Sequence, residues 1–218
     1  SNMSVFCNRV EYSFTLPADY RGNWANDVSY KTLTINDTHV NLHIPSKSMG
    51  MNALAVFAIA SHLGMDSKTI VAQIESFQTP PGRGDIVNIQ DVVVINDSYN
   101  ANLESARSGI NNLASLYMGK RKIAVIGDML ELGNMEKEHH RALGKYLSEK
   151  KVDAVFAYGD LTRYTIHAMN GAAEFHQFYE NKTNLLTDLK DFIKEKDIIY
   201  LKGSRGMKME EIITGLQG

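Results

Sequence analysis

The sequence predicts an α/β fold: a mainly parallel, Rossmann-like C-terminal domain with an antiparallel hairpin at its start, preceded by a partial α+β segment. Three observations carry this. From residue 86 onward, short apolar runs rich in Val and Ile alternate with helical patterns. Several of those runs stop abruptly at polar or glycine-rich loops, most sharply in VVVINDSYNAN over 92–102. Before them, Thr79-Pro80-Pro81-Gly82 breaks the pattern and marks a domain boundary.

The segment ahead of that break opens as β. Residues 31–35 alternate, Asn36-Asp37 supplies turn chemistry, and Val40, Leu42 and Ile44 alternate again, which predicts a hairpin with one buried face. Tyr20-Arg21-Gly22-Asn23 reads as a loop, and Trp24 beyond it suits either the core or its rim. From Asn52 the period becomes helical, with Ala53, Val56, Phe57, Ala60 and Leu63 on one face and Gly64 as the stop. Asp66 then caps a second helix bearing Ile70, Ile74 and Phe77.

Beyond the break, a strand over 86–89 pairs by hairpin with one over 92–95, across Gln90-Asp91. A helix follows with Leu103, Ala106, Ile110, Leu113 and Tyr117 on one face. Strands are predicted over 122–126, 154–158, 175–179 and 198–201. Helices are predicted over about 135–150, just after Gly159-Asp160, over 183–194, and through Met209, Ile212, Ile213 and Leu216. Strands separated by helices cannot pair as hairpins, so they form a parallel sheet with helices on both faces.

Composition narrows the function. A net charge of −2 gives no broad attraction to nucleic acid or to an anionic membrane. No apolar run reaches the roughly 18 residues that a spanning helix needs. Ser1-Asn2 resembles a cleaved-tag scar, with no secretory signal pattern after it. Cys7, the single cysteine, can form no internal disulfide, which fits a cytoplasmic location.

In a parallel sheet all strand-to-helix loops lie at one edge. The polar or glycine-rich loops at 96–102, 127–133, 159–160 and 202–206 therefore converge. Each opens a helix N-terminus, so the edge suits an anion. Plainer readings stand beside this one. Asp97, Ser98 and Asn102 also fit helix caps, Asp128 and Glu131 fit solvated loop acids, and Tyr99 fits the core. Gly127 and Gly133 fit turn glycines, and Gly82-Arg83-Gly84 fits a linker. His139 and His140 read as exposed helix residues, without a third ligand at metal-binding spacing. Lys202 and Arg205 beside Gly203-Ser204 suit a carboxylate or a phosphate. The chain contains neither a G-x-x-x-x-G-K-S/T phosphate loop nor a G-x-G-x-x-G fingerprint.

GRG (82–84), NDSYNAN (96–102), GDMLELG (127–133), HRALG (140–144) and KGSRGMKMEEII (202–213) occur together in this order. In them the sequence resembles the Mur ligases, in particular those that join D-alanyl-D-alanine to UDP-N-acetylmuramoyl-tripeptide. The stretch IPSKSMGMNALAVFAIASHLG (44–64) resembles the end of the family's central ATPase domain. The resemblance implies residues 1–79 as the C-terminal portion of the central ATP-binding domain and 80–218 as the Rossmann-like C-terminal domain. It implies a fragment of an ATP-dependent amide-bond ligase of peptidoglycan synthesis. ATP and Mg2+ would be its cofactors, with phosphate and metal ligands largely outside this chain, and the fragment alone would be inactive. The missing N-terminal and central domains would be its partners.

The same resemblance implies roles by position. Asn52 matches an adenine contact. Arg83 and Asp97 match residues that hold the nucleotide's ribose and phosphates on domain closure. Tyr99, Asn100 and Asn102 match the loop facing the reaction centre, and Lys202, Ser204 and Arg205 match the region receiving the dipeptide. No residue of the fragment matches a certain catalytic or metal-binding position. The chain departs from the family pattern at Ser48-Met49, where His-Asn is usual, at Asn96, where Asp is usual, and at Leu103, where Pro is usual. Two other readings fit the same residues: a non-catalytic binding module on a ligase-derived fold, and another Mur or folylpolyglutamate-type ligase.

Overall fold

The computed structural model describes residues 9–25, 31–43, 46–169 and 173–218. The expectations for Ser1, Asn2, Cys7 and Ile44 lie outside these residues. The chain divides into two compact units, Ser1–Gln78 and Thr79–Gly218.

In the first unit, β1 (Tyr12–Ser13), β2 (Tyr20–Trp24), β3 (Thr32–Ile35) and β4 (Thr38–Asn41) form one sheet in that order. The β3–β4 hairpin turns at Asn36-Asp37, with Asn36 at φ 50°, a left-handed conformation that asparagine tolerates. Alternation sends Leu33, Ile35 and Val40 into a core shared with Leu54, Phe57 and Ile70. Helix α1 (Lys47–His62) starts earlier than the period from Asn52 suggests, because Ser46 caps it by accepting from the Met49 N–H at 3.1 Å. Its buried stripe is Gly50, Ala53, Leu54, Phe57 and Ala58; Val56 and Leu63, expected on that face, are exposed. Helix α2 (Ser67–Ser76) has the Asp66 cap expected of it, bonded to the Thr69 N–H at 3.0 Å.

The expected loop at 20–23 is strand β2 instead. Gly22 pairs with Ile35, and a Cβ there would lie 2.8 Å from the Phe14 ring. The glycine marks a close approach rather than a turn. Trp24 is partly buried and packs at the rim of the core: it stacks on Phe14 with ring centroids 5.4 Å apart, and Gly50 leaves room for its indole.

In the second unit, β5 (Asp85–Ile89) and β6 (Val92–Asp97) form the expected hairpin across Gln90-Asp91. Then come α3 (Leu103–Leu116), β7 (Lys122–Gly127), α4 (Glu136–Glu149), β8 (Ala154–Tyr158) and α5 (Thr162–His167). They are followed by β9 (Phe175–Tyr179), α6 (Lys182–Phe192), β10 (Ile198–Lys202) and α7 (Glu210–Gln217). The sheet order is β5-β6-β10-β7-β8-β9, parallel throughout except for β5.

Ala106, Ile110 and Leu113 of α3 and Leu143 and Leu147 of α4 cover one face of this sheet. Leu185 and Leu189 of α6 and Ile212 and Ile213 of α7 cover the other. Each fully buried Leu or Ile among them contributes about 1.5–3 kcal/mol. Helices therefore leave the neighbouring strands β6 and β10 toward opposite faces. Such a switch opens a crevice at the carboxyl ends of the strands, which is where ligands bind in open α/β sheets. At the other end of the strands, Arg121 grips the Asp197 carboxylate through Nε (3.0 Å) and Nη2 (2.9 Å) and also donates to the Phe192 carbonyl. Among the described residues no helix is long and apolar enough to cross a membrane.

Candidate functional site

The crevice is built from the β6–α3, β7–α4, β8–α5 and β10–α7 loops, at the edge the sequence predicts. Asp97 ends β6 and Lys202 ends β10, in register as neighbours. The Lys202 Nζ donates to Asp97 Oδ2 at 2.7 Å, and the Tyr200 hydroxyl donates to the same oxygen at 2.9 Å. Lys202 is buried, so its charge serves Asp97 rather than standing free for an incoming anion. Tyr200 is also buried, and burial, followed by the nearby Asp97 charge, pushes its phenol well above the usual value. It therefore remains a donor across the physiological pH range.

The turn at 80–84 is laced to the β6–α3 loop. Gly84 N–H donates to the Asn96 carbonyl at 2.7 Å, Tyr99 N–H donates to the Gly82 carbonyl at 2.9 Å, and Gly82 N–H bonds the Asp85 carboxylate. Gly82 needs to be glycine: its φ is 81°, and a Cβ would lie 3.1 Å from the Tyr99 nitrogen. The lacing lays the Arg83 guanidinium over the Tyr99 ring, 4.1 Å from its centroid, with Arg205 at 5.9 Å from the same centroid. Tyr99 is exposed, which corrects the core reading. Two cations and an aromatic face thus form the open rim of the site.

Asn96 is buried and works in both directions. Its amide donates to Asp85 Oδ2 at 3.3 Å, and its carbonyl oxygen accepts from the Ser98 hydroxyl at 2.7 Å. A carboxylate at this position would lose the donor and face the Asp85 charge. The departure from Asp therefore fits its neighbours. Asn102 is an N-cap, bonded reciprocally with Ser105 in a capping box worth about 1 kcal/mol. Asn100 is exposed, and its side-chain oxygen accepts from the Ala101 N–H at 2.8 Å.

Ser204 ties three loops together: its hydroxyl accepts from Leu130 N–H at 2.8 Å and donates to the Ala101 carbonyl at 3.4 Å, while its N–H reaches the Asp128 carbonyl at 3.0 Å. Buried and fully bonded, it holds the site's framework together and has no spare donor for a substrate. Arg205, by contrast, is exposed, with Glu210 at 3.5 Å.

Asp128 and His140 overturn their solvated readings, for both are buried. Asp128 Oδ1 accepts from the N–H groups of Leu161 (3.0 Å) and Thr162 (2.9 Å), joining β7 to α5. Burial raises its carboxyl above the ordinary range, against the pull of those bonds. His140 Nε2 accepts from Met129 N–H at 3.0 Å, and Nδ1 lies 2.7 Å from the Glu136 carbonyl. An accepting Nε2 carries no proton, so the ring is neutral, and its 4.0 Å approach to Asp128 is no ion pair. Burial correspondingly pulls the imidazole below its usual value. Glu131 is exposed at φ 63° in the same loop.

A family model described as Mur ligase, glutamate ligase domain, matches residues 82–205. The chain belongs to the Mur ligase family. A curated relative from Bacillus subtilis (strain 168), named UDP-N-acetylmuramoyl-tripeptide--D-alanyl-D-alanine ligase, is 33% identical over 171 residues. That match covers 76% of this chain and 37% of the relative, so the chain spans well under half of its length. MurF from Acinetobacter baumannii shares the fold at a TM-score of 0.84 and 23% identity, over 95% of this chain and 47% of that one. A MurF ligase from Thermotoga maritima, solved in complex with ADP, follows at a TM-score of 0.76 and 21% identity, over 95% of this chain and 48% of that one.

Within this Mur ligase domain, Arg83, Asp97, Tyr99, Asn100, Asn102, Lys202, Ser204 and Arg205 all belong to the second unit. Asn52 belongs to the first, exposed on α1. Among the described residues no cluster of three or more His, Cys, Asp or Glu side chains is arranged to hold a metal ion. Sequence reasoning missed Tyr200, Asp85 and the burial of His140. His140 precedes Leu143 and Leu147 by three and seven residues, which places it on the buried stripe of α4 and was a usable signal.

Proposed function

We propose that this chain supplies the C-terminal domain, and the end of the central ATP-binding domain, of an ATP-dependent ligase of peptidoglycan synthesis. The reaction joins D-alanyl-D-alanine to UDP-N-acetylmuramoyl-tripeptide, and the nucleotide substrates suit a cytoplasmic location. The observation that carries this reading is the Mur ligase domain match over 82–205. Its matched stretch includes Asp97, the Arg83–Tyr99 stack and Arg205 at one crevice.

In such a reaction the γ-phosphoryl group of ATP passes to the tripeptide carboxylate, releasing ADP. The amine of D-alanyl-D-alanine then attacks the acyl phosphate, loses a proton, and expels inorganic phosphate. Mg2+ would neutralise the phosphate charges, held by groups other than the residues described here. The domain's own residues position and stabilise charge rather than transfer protons. Asp97 is assigned to ribose hydroxyls, Arg83 to the nucleotide's phosphates, and Asn52 to adenine. Tyr99, Asn100 and Asn102 line the reaction-centre loop. Arg205 is assigned to the dipeptide carboxylate, with Lys202 and Ser204 supporting from beneath, because both are buried and already bonded.

The test is phosphate release and product mass for the full encoded protein, given ATP, Mg2+, UDP-N-acetylmuramoyl-tripeptide and D-alanyl-D-alanine. Release should require all the substrates and fall about tenfold or more in Asp97→Ala and in Arg83→Ala. The 218 residues contain no phosphate loop, so this chain alone should release none. Release independent of D-alanyl-D-alanine, or wild-type kinetics in both variants, overturns the reading.

A further inference from the structure

The Tyr200 hydroxyl and the Lys202 ammonium both bond Asp97 Oδ2, and among the described residues Oδ1 accepts no hydrogen bond. The Asp97 side chain is one-quarter exposed, at 25%. Its carboxylate is therefore anchored through one oxygen and offered through the other. Tyr200 reaches it from inside the sheet because Gly109 on α3 has no side chain. A Cβ on Gly109 would lie 1.9 Å from the Tyr200 hydroxyl oxygen and 2.3 Å from Cζ. Even alanine would displace the phenol.

We propose that Tyr200, seated against Gly109, is a positioning residue for the nucleotide site: it fixes the Asp97 carboxylate so that Oδ1 faces the ribose hydroxyls. This rests on the assignment of Asp97 to the nucleotide. Lys202 supplies the opposite charge at 2.7 Å, and its flexible stem permits several geometries. Tyr200 adds the second, rigid donor that selects one of them, since its ring is locked by packing against α3. Orientation of this kind changes nucleotide affinity without touching the nucleotide.

The experiment measures ATP affinity by equilibrium binding, together with kcat, the KM values for ATP and D-alanyl-D-alanine, and the thermal midpoint, in the full encoded protein. Tyr200→Phe keeps the ring and removes the donor. It should weaken ATP binding and raise the ATP KM about three- to tenfold, with the D-alanyl-D-alanine KM unchanged, in line with losing one hydrogen bond to a charged group. Gly109→Ala should produce the same selective effect by moving the phenol. In a Tyr200→Leu background, where the clashing atoms are gone, Gly109→Ala should add nothing further. Asp97→Asn is the control. If it weakens ATP binding while Tyr200→Phe does not, the positioning role is overturned and the site assignment stands. If Asp97→Asn leaves ATP binding unchanged, the assignment fails and the positioning role with it. Equal changes in both KM values with a lower thermal midpoint would make Tyr200 a packing residue only.

Discussion

Lys202 and Asp97 end neighbouring parallel strands in register, and their side chains meet at 2.7 Å in the crevice between helices that leave toward opposite faces. Lys202 is almost wholly enclosed, with 4% of its side chain exposed. Removing one partner of such a pair leaves the other charge poorly solvated. Lys202→Met should therefore destabilise the second unit by about 2–4 kcal/mol in urea unfolding. Asp97→Asn in the same chain should recover part of that loss, giving a coupling of about 1 kcal/mol or more. Additive losses would mean that the pair contributes little.

His140 makes stability depend on pH. Its folded pKa lies below the ordinary 6.5, because burial disfavours the imidazolium. The unfolded chain then binds the proton first as pH falls. The contribution of His140 is complete above about 6.5 and is lost as pH drops from there through the lowered folded value. Protonation would also cost the Met129 N–H its acceptor. The thermal midpoint should decline from about pH 7 to pH 5, and His140→Gln should flatten that decline while costing about 1–3 kcal/mol at neutral pH. An unchanged slope in the variant would place the pH response elsewhere. Asp128 acts with the opposite sign: raised by burial, it favours the fold below the ordinary 3.8 and loses that contribution as pH rises through its folded value.

Much of this was legible in the sequence because local pattern and turn chemistry agree. The apolar run from Val92 to Ile95 lies in the strand expected of it, and Gln90-Asp91 turns where two apolar stretches meet. The convergence of four loops followed from topology alone. The pairing inside the crevice did not. Lys202 finds Asp97 across 105 residues of chain, and its type suggests a free cation until the register of β10 against β6 is known. Gly22 misled for a related reason: its lack of a side chain answers Phe14 and Leu54 across the fold, and a local reading takes it for a turn. The early start of α1 was hidden because Gly50 on its buried face interrupts the apolar pattern while accommodating Trp24.

Gly144 reports on the packing behind the site. It lies on α4 where a Cβ would come within 2.1 Å of the Thr165 carbonyl oxygen and 3.2 Å of the Ala168 Cβ. The backbone of α5 cannot yield as a flexible side chain would. Gly144→Ala should cost about 2–3 kcal/mol despite alanine's better helix propensity, and should loosen Asp128 by shifting the N–H groups of Leu161 and Thr162. Hydrogen exchange at those two amides would show the loosening. A stabilised variant would mean that α4 and α5 separate freely.

Arg205 and Lys202 flank Gly203-Ser204, and their different burial predicts different phenotypes. Arg205 has 68% of its side chain exposed, and its nearest carboxylate, Glu210 at 3.5 Å, is also well exposed, so the pair contributes little to stability. Its guanidinium remains available for bidentate contact with an incoming carboxylate. In the full encoded protein, and on the proposed reaction, Arg205→Ala should leave the thermal midpoint and the ATP KM nearly unchanged while raising the KM for D-alanyl-D-alanine about tenfold or more. Arg205→Lys should recover only part of this, since a point charge replaces a planar fork. Lys202→Met should do the reverse, lowering stability and weakening ATP binding through Asp97. Steady-state kinetics of the three variants against both substrates separates these outcomes. An unchanged dipeptide KM in Arg205→Ala would move the carboxylate site away from this loop.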